Sequence, residues 1–345
     1  MILKNKDLKR NFQSRNATIE ELINNLNSNQ IKISIIVGKN DELIGTVTDG
    51  DLRRGILSGL NLKDKIKSII NYNPKTIQEN NFNTTNVSLI TNKFQIEHLP
   101  VLNKKKIVFL YLNKKKIKKQ KKINNKIVIM AGGFGKRLKK LTKNCPKPLL
   151  YFKKKPLIQH VVDHALNQGF RDFYISIHYL KEKIKEYFKK QNDTNANFLF
   201  LEEKKPLGTI GSLKLIKNVK KNFIVLNCDV ITDVNLLEIL KFHKLKKNIM
   251  TMGVKQLRYQ NPYGVIKSKN NSFVSFEEKP SIDFEINAGI YVFSPKILQI
   301  IKRNDVRNIE DLIYSLKSKN YSISLYPIYE NWLDLGTETK VLKLK

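Results

Sequence analysis

Hydrophobic positions along this chain switch between a period of two and a period near 3.6, and the switches recur in a fixed order. Thr18-Ile19-Glu20-Glu21 opens a helix, with Thr18 placed to cap it. An apolar run, Ile33-Ser34-Ile35-Ile36-Val37, reads as a strand; a turn follows at 38–42 and a second strand at 43–47. The order then returns. Thr76-Ile77-Gln78 begins a helical stretch, Leu99-Pro100-Val101-Leu102 a strand, 103–105 a turn and 107–112 another strand. A unit of roughly 60 residues thus occurs twice, and such a unit buries its sheet face best against a second copy.

Beyond a lysine-rich stretch at 113–126 the alternation becomes regular. Residues 127–130 (Ile127-Val128-Ile129-Met130) form a buried-strand run that enters a glycine-rich turn. Residues 157–168 are helical, with Leu157, Ile158, Val161, Val162, Ala165 and Leu166 on one side. Strands at 173–177, 198–201 and 223–226 bracket a helix at 180–188. Strand–helix–strand order predicts right-handed crossovers, an α/β architecture with a mainly parallel, Rossmann-like sheet, and ligands at the carboxyl ends of the strands. The expected division is an α+β module at 1–115, a solvated linker at 116–126 and an α/β domain at 127–345.

Composition narrows the functional classes. The 345 residues contain 41% hydrophobic and 9% aromatic residues, which is ordinary globular material. The formal charge of +34 raises the question of a polyanionic partner. However, only nine of the 64 basic residues are arginine, and the lysines spread over both halves. Base readers favour arginine forks interleaved with aromatics, so a composition bias accounts for the charge better than nucleic-acid binding does. Cys145 and Cys228 are the only cysteines, and neither has a CxxC partner, which argues against a disulfide framework or a cysteine metal site. No apolar run reaches about 18 residues and residues 1–12 lack an apolar leader core, so the expectation is a cytoplasmic protein without a membrane partner. His160 and His164 are four apart on a helix, but no third ligand is evident.

The residues with chemical reach follow residue 126. Ala131-Gly132-Gly133-Phe134-Gly135-Lys136-Arg137-Leu138 lets backbone N–H groups approach phosphate oxygens without Cβ hindrance. Arg137 adds a planar fork for phosphate, and Lys147, in Pro146-Lys147-Pro148-Leu149, a movable point charge. No Gly-Lys-Ser/Thr closes the turn, so it is not a Walker loop.

This segment resembles the signature of sugar-1-phosphate nucleotidyltransferases, G-G-x-G-x-R-L-x-x-L-T-x-x-x-P-K-P-L, and the resemblance extends from residue 126 to about 345. Further landmarks arrive in the family's order: Pro206-Leu207-Gly208-Thr209, Asn227-Cys228-Asp229, Tyr263-Gly264-Val265, Glu278-Lys279-Pro280, Asn287-Ala288-Gly289 and Trp332-Leu333-Asp334. The resemblance implies a nucleotide-diphospho-sugar transferase fold and in-line attack of a sugar-1-phosphate oxygen on the α-phosphorus of an NTP. Catalysis would then be positioning plus charge neutralisation. It implies catalytic roles for Arg137 and Lys147, and nucleotide binding by Ala131, Gly132, Gly133, Gly135, Glu203, Gly208 and Thr209. Asp229 and Asp334 would hold Mg²⁺, and Gly264, Glu278, Lys279 and Asn287 the sugar phosphate. Cys228 stands where the family usually has glycine. Glu203 falls where a side chain reads the base; a carboxylate can accept both N1–H and N2–H₂ of guanine, which points to GTP with a glucosamine-, heptose- or mannose-type sugar. Uridylyl, thymidylyl or cytidylyl transfer is the alternative, and a non-catalytic nucleotide sensor a further one.

Gly45-Thr46-Val47-Thr48-Asp49-Gly50-Asp51-Leu52-Arg53-Arg54 resembles the end of a CBS motif, in which the threonine and the aspartate three residues on hold a nucleotide. The likeness covers about residues 10–115. It implies an adenine or other nucleotide at Thr48 and Asp51, and a regulatory, homodimer-forming pair. The second copy departs from the pattern, because residues 107–112 are followed by Asn113-Lys114 with no Thr-x-x-Asp. A CBS pair joined to such a transferase is similar to guanylyltransferases of surface-glycan routes, including the legionaminic acid route.

Overall fold

The structure, a computed structural model, describes residues 2–29, 31–113, 123–135, 138, 141–191, 195–303 and 307–336. The chain divides into two compact units, Met1–Lys119 and Gln120–Lys345. Most of the lysine-rich segment expected as a linker lies outside the described residues.

In the first unit the order is β1 (Ile2–Lys4), α1 (Asn5–Lys9), β2 (Phe12–Ser14), α2 (Ile19–Ser28), β3 (Ile33–Val37), β4 (Leu43–Thr48), α3 (Asp49–Leu57), β5 (Ile77–Gln78), α4 (Thr84–Lys93), β6 (His98–Asn103) and β7 (Lys106–Leu112). β3 lies parallel to β2 and antiparallel to β4, and β6 lies parallel to β5 and antiparallel to β7. The repeat read from the sequence is therefore a repeat of strand pairing. α2 buries Ile19, Leu22, Ile23 and Leu26, and Thr18 and Glu21 close a reciprocal capping box at its start. The helical stretch expected from Thr76 begins instead at Thr84. Ile77 is buried and pairs with Val101 as a short strand, while Asn83 caps the helix by accepting from the Asn86 N–H at 2.8 Å.

In the second unit the order is β8 (Ile127–Met130), β9 (Tyr151–Phe152), β10 (Lys155–Pro156), α5 (Leu157–Leu166), β11 (Asp172–Ile177), α6 (Lys181–Lys189), β12 (Asn197–Glu202), β13 (Phe223–Asn227), β14 (Val230–Thr232), α7 (Leu236–Lys246), β15 (Met250–Gln260), β16 (Val265–Lys269), β17 (Ser272–Glu277), β18 (Ser281–Phe293), α8 (Ile297–Arg303), α9 (Ile309–Ser318), β19 (Ile323–Pro327) and β20 (Trp332–Asp334). Seven strands form one sheet in the order β12-β11-β8-β13-β18-β15-β19. Ile127, Ile129, Ile175 and Ile224 pack on one face with α5, α6 and α7. Val128, Tyr174 and Val225 pack on the other with α8 and α9. Helices on both faces explain why these strands read as near-continuous apolar runs.

The sheet is mainly parallel but mixed: six of its seven strands run the same way and β18 alone runs against them. β8, β11, β12 and β13 run parallel, but β18 is antiparallel to both β13 and β15. β15 and β18 are joined through the β16–β17 hairpin, which returns the chain to the end of β15 that it left, so Gln260 pairs with Ser281 and the two strands run antiparallel back to Met250 and Phe293. From β8 the chain winds out to β11 and β12 and then returns to β13 on the other side of β8. That reversal of direction opens a crevice at the carboxyl ends of the central strands.

Candidate active site

Loops from β8, β12 and β13 meet at this crevice around a cavity of about 690 Å³. Ala131, Gly132, Gly133 and Gly135 line one wall, and Glu203, Gly208 and Thr209 another. Lys147, Asp229, Asn287 and Asp334 complete the set. Fifteen site residues were expected in this domain; the eleven just named share one cavity, three sugar-side residues are discussed below, and Arg137, with its neighbour Lys136, lies outside the described residues.

Gly132 shows why glycine is needed. A Cβ there would stand 2.7 Å from Oε1 of Glu203, so only a bare backbone can lie against that carboxylate. Gly135 has φ +66°, a left-handed conformation that turns the chain back over Thr142 and Lys147. Glu203 itself is buried. Its Oε1 accepts from the Ser176 hydroxyl at 2.7 Å and its Oε2 from the Leu207 N–H at 2.9 Å. The carboxylate thus ties β11 to the start of the loop that carries Gly208 and Thr209. That loop is fixed at its other end, where the Ile309 N–H donates to the Thr209 hydroxyl at 3.1 Å.

Asp229 follows β13 and is ion-paired with the Lys147 ammonium, both side chains being largely buried. β14 and β20 bring the second carboxylate alongside. Val230 pairs with Asp334, and the Leu335 N–H donates to the Asp229 carbonyl at 3.0 Å. A Cβ on Gly336 would lie 2.9 Å from Oδ1 of Asp334 and 3.6 Å from Oδ2 of Asp229, so both carboxylates border one position. Two hard oxygen donors side by side at the cavity wall are a donor set that would suit a divalent cation such as Mg²⁺. Among the described residues no group of three or more acidic, histidine or cysteine side chains gathers to bind a metal. Burial, reinforced by the neighbouring Asp229 charge, pushes the Cys228 thiol up to about 12, so the cysteine in the family's glycine position is an inert wall rather than a nucleophile.

The expected sugar-side residues separate. Asn287 lines the cavity, its Nδ2 donating to the Tyr291 hydroxyl at 2.7 Å and its Oδ1 accepting from the Gly289 N–H at 3.0 Å. Gly264, Glu278 and Lys279 do not line it. They flank the β16–β17 hairpin, where Glu278 and Lys279 form an exposed ion pair at 3.6 Å. A Cβ on Gly264 would approach Oε2 of Glu278 to 3.1 Å, so these three stay together. Sequence reasoning missed Ser176, whose signal is a lone hydroxyl inside the apolar run Phe173-Tyr174-Ile175-Ser176-Ile177. It also passed over Phe134, a half-exposed ring in the cavity wall that packs edge-on against His178 at 5.4 Å. His160 and His164 each meet a backbone carbonyl, of Phe152 and of Val234, at 2.8 Å.

In the first unit, Thr48 and Asp51 sit at the start of α3 as a reciprocal capping box: the Thr48 N–H donates to Asp51 at 2.8 Å and the Asp51 N–H to the Thr48 hydroxyl at 3.3 Å. Arg54 is ion-paired with the same carboxylate. Asp51 and Arg54 also line a cavity of about 430 Å³ with Ser58 and Asn71. No helix among the described residues is long and apolar enough to cross a membrane.

A glycine-rich turn after a parallel strand, a lysine and two carboxylates around a switch-point crevice define an α/β domain built to handle phosphate groups. Residues 126–344 match the nucleotidyl transferase family, and the chain belongs to it. It is 34% identical over 221 residues to a mannose-1-phosphate guanyltransferase of Yarrowia lipolytica, covering 61% of this chain and 60% of that one. To the mannose-1-phosphate guanyltransferase of Saccharomyces cerevisiae it is 32% identical over 219 residues, with 61% and 60% covered. The chain therefore spans about 60% of the length of the curated relatives it matches. Among solved structures, the fold is shared with HddC from Yersinia pseudotuberculosis, with TM-score 0.50, 23% identity, and 64% of this chain and 97% of that one covered.

Proposed function

We propose that this chain transfers the nucleotidyl group of an NTP, GTP foremost, to a sugar 1-phosphate of mannose, glucosamine or heptose type, releasing pyrophosphate. The observation that carries the reading is the single cavity that gathers the glycine-rich turn, Lys147, Asp229 and Asp334. The names of the relatives support the guanylyl and sugar-1-phosphate parts.

In this reaction an oxygen of the sugar 1-phosphate bonds to the α-phosphorus while the bond from that phosphorus to the bridging oxygen breaks. Pyrophosphate leaves with the electron pair, and no protein nucleophile is required. The backbone of residues 131–135 and the Lys147 ammonium hold the phosphates in line. Asp229 and Asp334 would hold Mg²⁺, which supplies positive charge against the phosphate oxygens. Glu203, with Gly132 against it, would set the floor on which the base edge is read. In the first unit, the doubled strand pairing and the cavity beside Asp51 support a CBS-type pair that binds a nucleotide such as an adenine nucleotide, and that associates as a homodimer.

The test is pyrophosphate release with Mg²⁺, pairing GTP, UTP, CTP, dTTP and ATP with mannose, glucosamine and heptose 1-phosphates. Release with GTP and one of these sugars is the expected result. Release only with UTP or dTTP removes the guanine assignment, and silence across the panel in folded protein removes the transferase reading.

A further inference from the structure

Between β19 and β20 the chain crosses from the edge of the sheet to the cavity, and a lysine on β15 holds it on the way. β19 lies parallel to β15 as far as the pair Val254–Pro327, after which the Ile328 N–H donates to the Val254 carbonyl at 2.8 Å. The crossing segment lies directly against β15. A Cβ on Gly253 would stand 2.8 Å from Cδ1 of Ile328, so a bare backbone is needed at that strand position. Two residues on, Lys255 reaches the next part of the segment. Its Nζ donates to the Glu330 carbonyl at 3.1 Å and to the Tyr329 carbonyl at 3.5 Å.

This is a costly way to pack a strand. Lys255 is half-buried, and burial lowers its pKa below the ordinary 10.5, with the Glu330 charge beside it acting in the opposite sense. Glu330 is 5% exposed, and its carboxylate turns back to accept from the Tyr329 N–H at 3.0 Å. Two charged groups are expensive to take out of water where apolar side chains would serve packing alone. What they add is a fixed place for the backbone of 329–330, because a charged donor holds a carbonyl more tightly than a neutral one.

That backbone leads straight into the cavity. The Asn331 carbonyl accepts from the Thr232 hydroxyl at 2.9 Å and from the Asp233 N–H at 3.1 Å. Trp332 Nε1 donates to the Ala288 carbonyl of β18 at 2.9 Å. Asp334 then pairs with Val230, the residue after Asp229. Trp332, Ala288 and Asp334 all line the cavity, as does Ile286, the cross-strand partner of Lys255. Lys255 thus touches the wall built by β18 and the segment that delivers β20. We infer that Lys255 is a positioning residue: by holding the backbone at 329–330 it fixes Trp332 against β18 and sets Asp334 beside Asp229. The clamp stands on these contacts alone, whereas the use made of Asp334 rests on the transferase reading.

Trp332 is the only tryptophan in the chain, so its emission reports on this segment directly. In the full chain, Lys255→Met, checked for native circular dichroism, should speed amide hydrogen exchange over residues 328–336 by about tenfold or more, the factor that a charge-assisted hydrogen bond carries. Acrylamide should quench Trp332 more strongly, while exchange in β8 and β13 stays as in the parent. The Mg²⁺ concentration for half-maximal pyrophosphate release should rise about tenfold, with KM for the NTP at saturating Mg²⁺ little changed. Lys255→Arg keeps a charged donor and should return all three readouts toward the parent. Lys267→Met, at an exposed lysine on β16, should leave them unaltered. Lys255→Gln serves if the methionine variant does not fold. Unchanged exchange and quenching in the folded variant overturn the clamp. A loosened segment with an unaltered Mg²⁺ requirement overturns the positioning role. A parent that releases no pyrophosphate with any NTP removes the transferase reading and with it the use of Asp334, and exchange and quenching then decide the clamp by themselves.

Discussion

The ammonium of Lys147, in the proline-bounded turn that precedes β9, is ion-paired with the carboxylate of Asp229, which directly follows β13. The two side chains are only 17% and 15% exposed, so each neutralises a charge that would otherwise be costly to bury. The pair also places a cation where the proposed metal and phosphates would be. Asp229→Asn removes both functions. It should lower turnover by about 10³-fold or more while leaving a cooperatively folded protein. Activity should likewise vanish in chelator and return with Mg²⁺. Normal turnover by Asp229→Asn would refute the assignment.

The same pair can be tested by stability alone. Asp229→Asn and Lys147→Met should each cost about 1–3 kcal/mol in urea unfolding, because each leaves one buried charge without its partner. The double variant should lose less than the two single changes combined, with a coupling of about 0.5–3 kcal/mol. Strict additivity would mean that the two groups act separately.

Most of this site could be read from the sequence because its parts are short motifs whose backbone chemistry is local. The glycine-rich turn, Lys147, Asp229 and Asp334 each sit at the end of a strand or in a proline-bounded turn; the turn and Asp229 converge because parallel β8 and β13 put their carboxyl ends together, and Asp334 arrives on β20 through its antiparallel pairing with β14. Three features were not legible. The reversal of β18 depends on the path of the excursion between β15 and β18, which periodicity does not encode. The departure of Glu278 and Lys279 from the cavity follows from that same excursion. The short strand at Ile77 was read as a helix start, because two residues carry no period and their pairing with β6 is a tertiary event.

Glu203 offers a prediction about packing. Its two oxygens are held by Ser176 and Leu207, and Gly132 lies against Oε1 with no room for a methyl group. Gly132→Ala should therefore push the carboxylate or the turn aside, costing about 1–3 kcal/mol of stability and raising KM for the NTP more than it lowers kcat. Ser176→Ala removes one donor without adding bulk. It should cost about 1–2 kcal/mol and leave KM closer to that of the unaltered protein. If Gly132→Ala matched the parent in both KM and unfolding, the close approach would have no consequence.

A last prediction concerns pH. His243 is almost fully buried on α7, with Nδ1 at 2.9 Å from the Thr251 hydroxyl and Nε2 lacking a hydrogen-bond partner. Burial lowers its pKa from the usual 6.5 to about 4. The unfolded chain therefore binds a proton between about pH 6.5 and pH 4 that the folded chain refuses. Stability from this group is complete above about pH 6.5 and is lost progressively as pH falls toward 4, by at most about 3 kcal/mol. Carboxylates that titrate in the same range act in both proteins, so the informative quantity is a difference. Urea unfolding of the parent and of His243→Gln at pH 7.5, 6, 5 and 4.5 should show the parent losing more stability than the variant as pH falls, with the gap opening below pH 6.5. Parallel losses across that range would show that the imidazole takes up its proton in the fold as readily as in the unfolded chain.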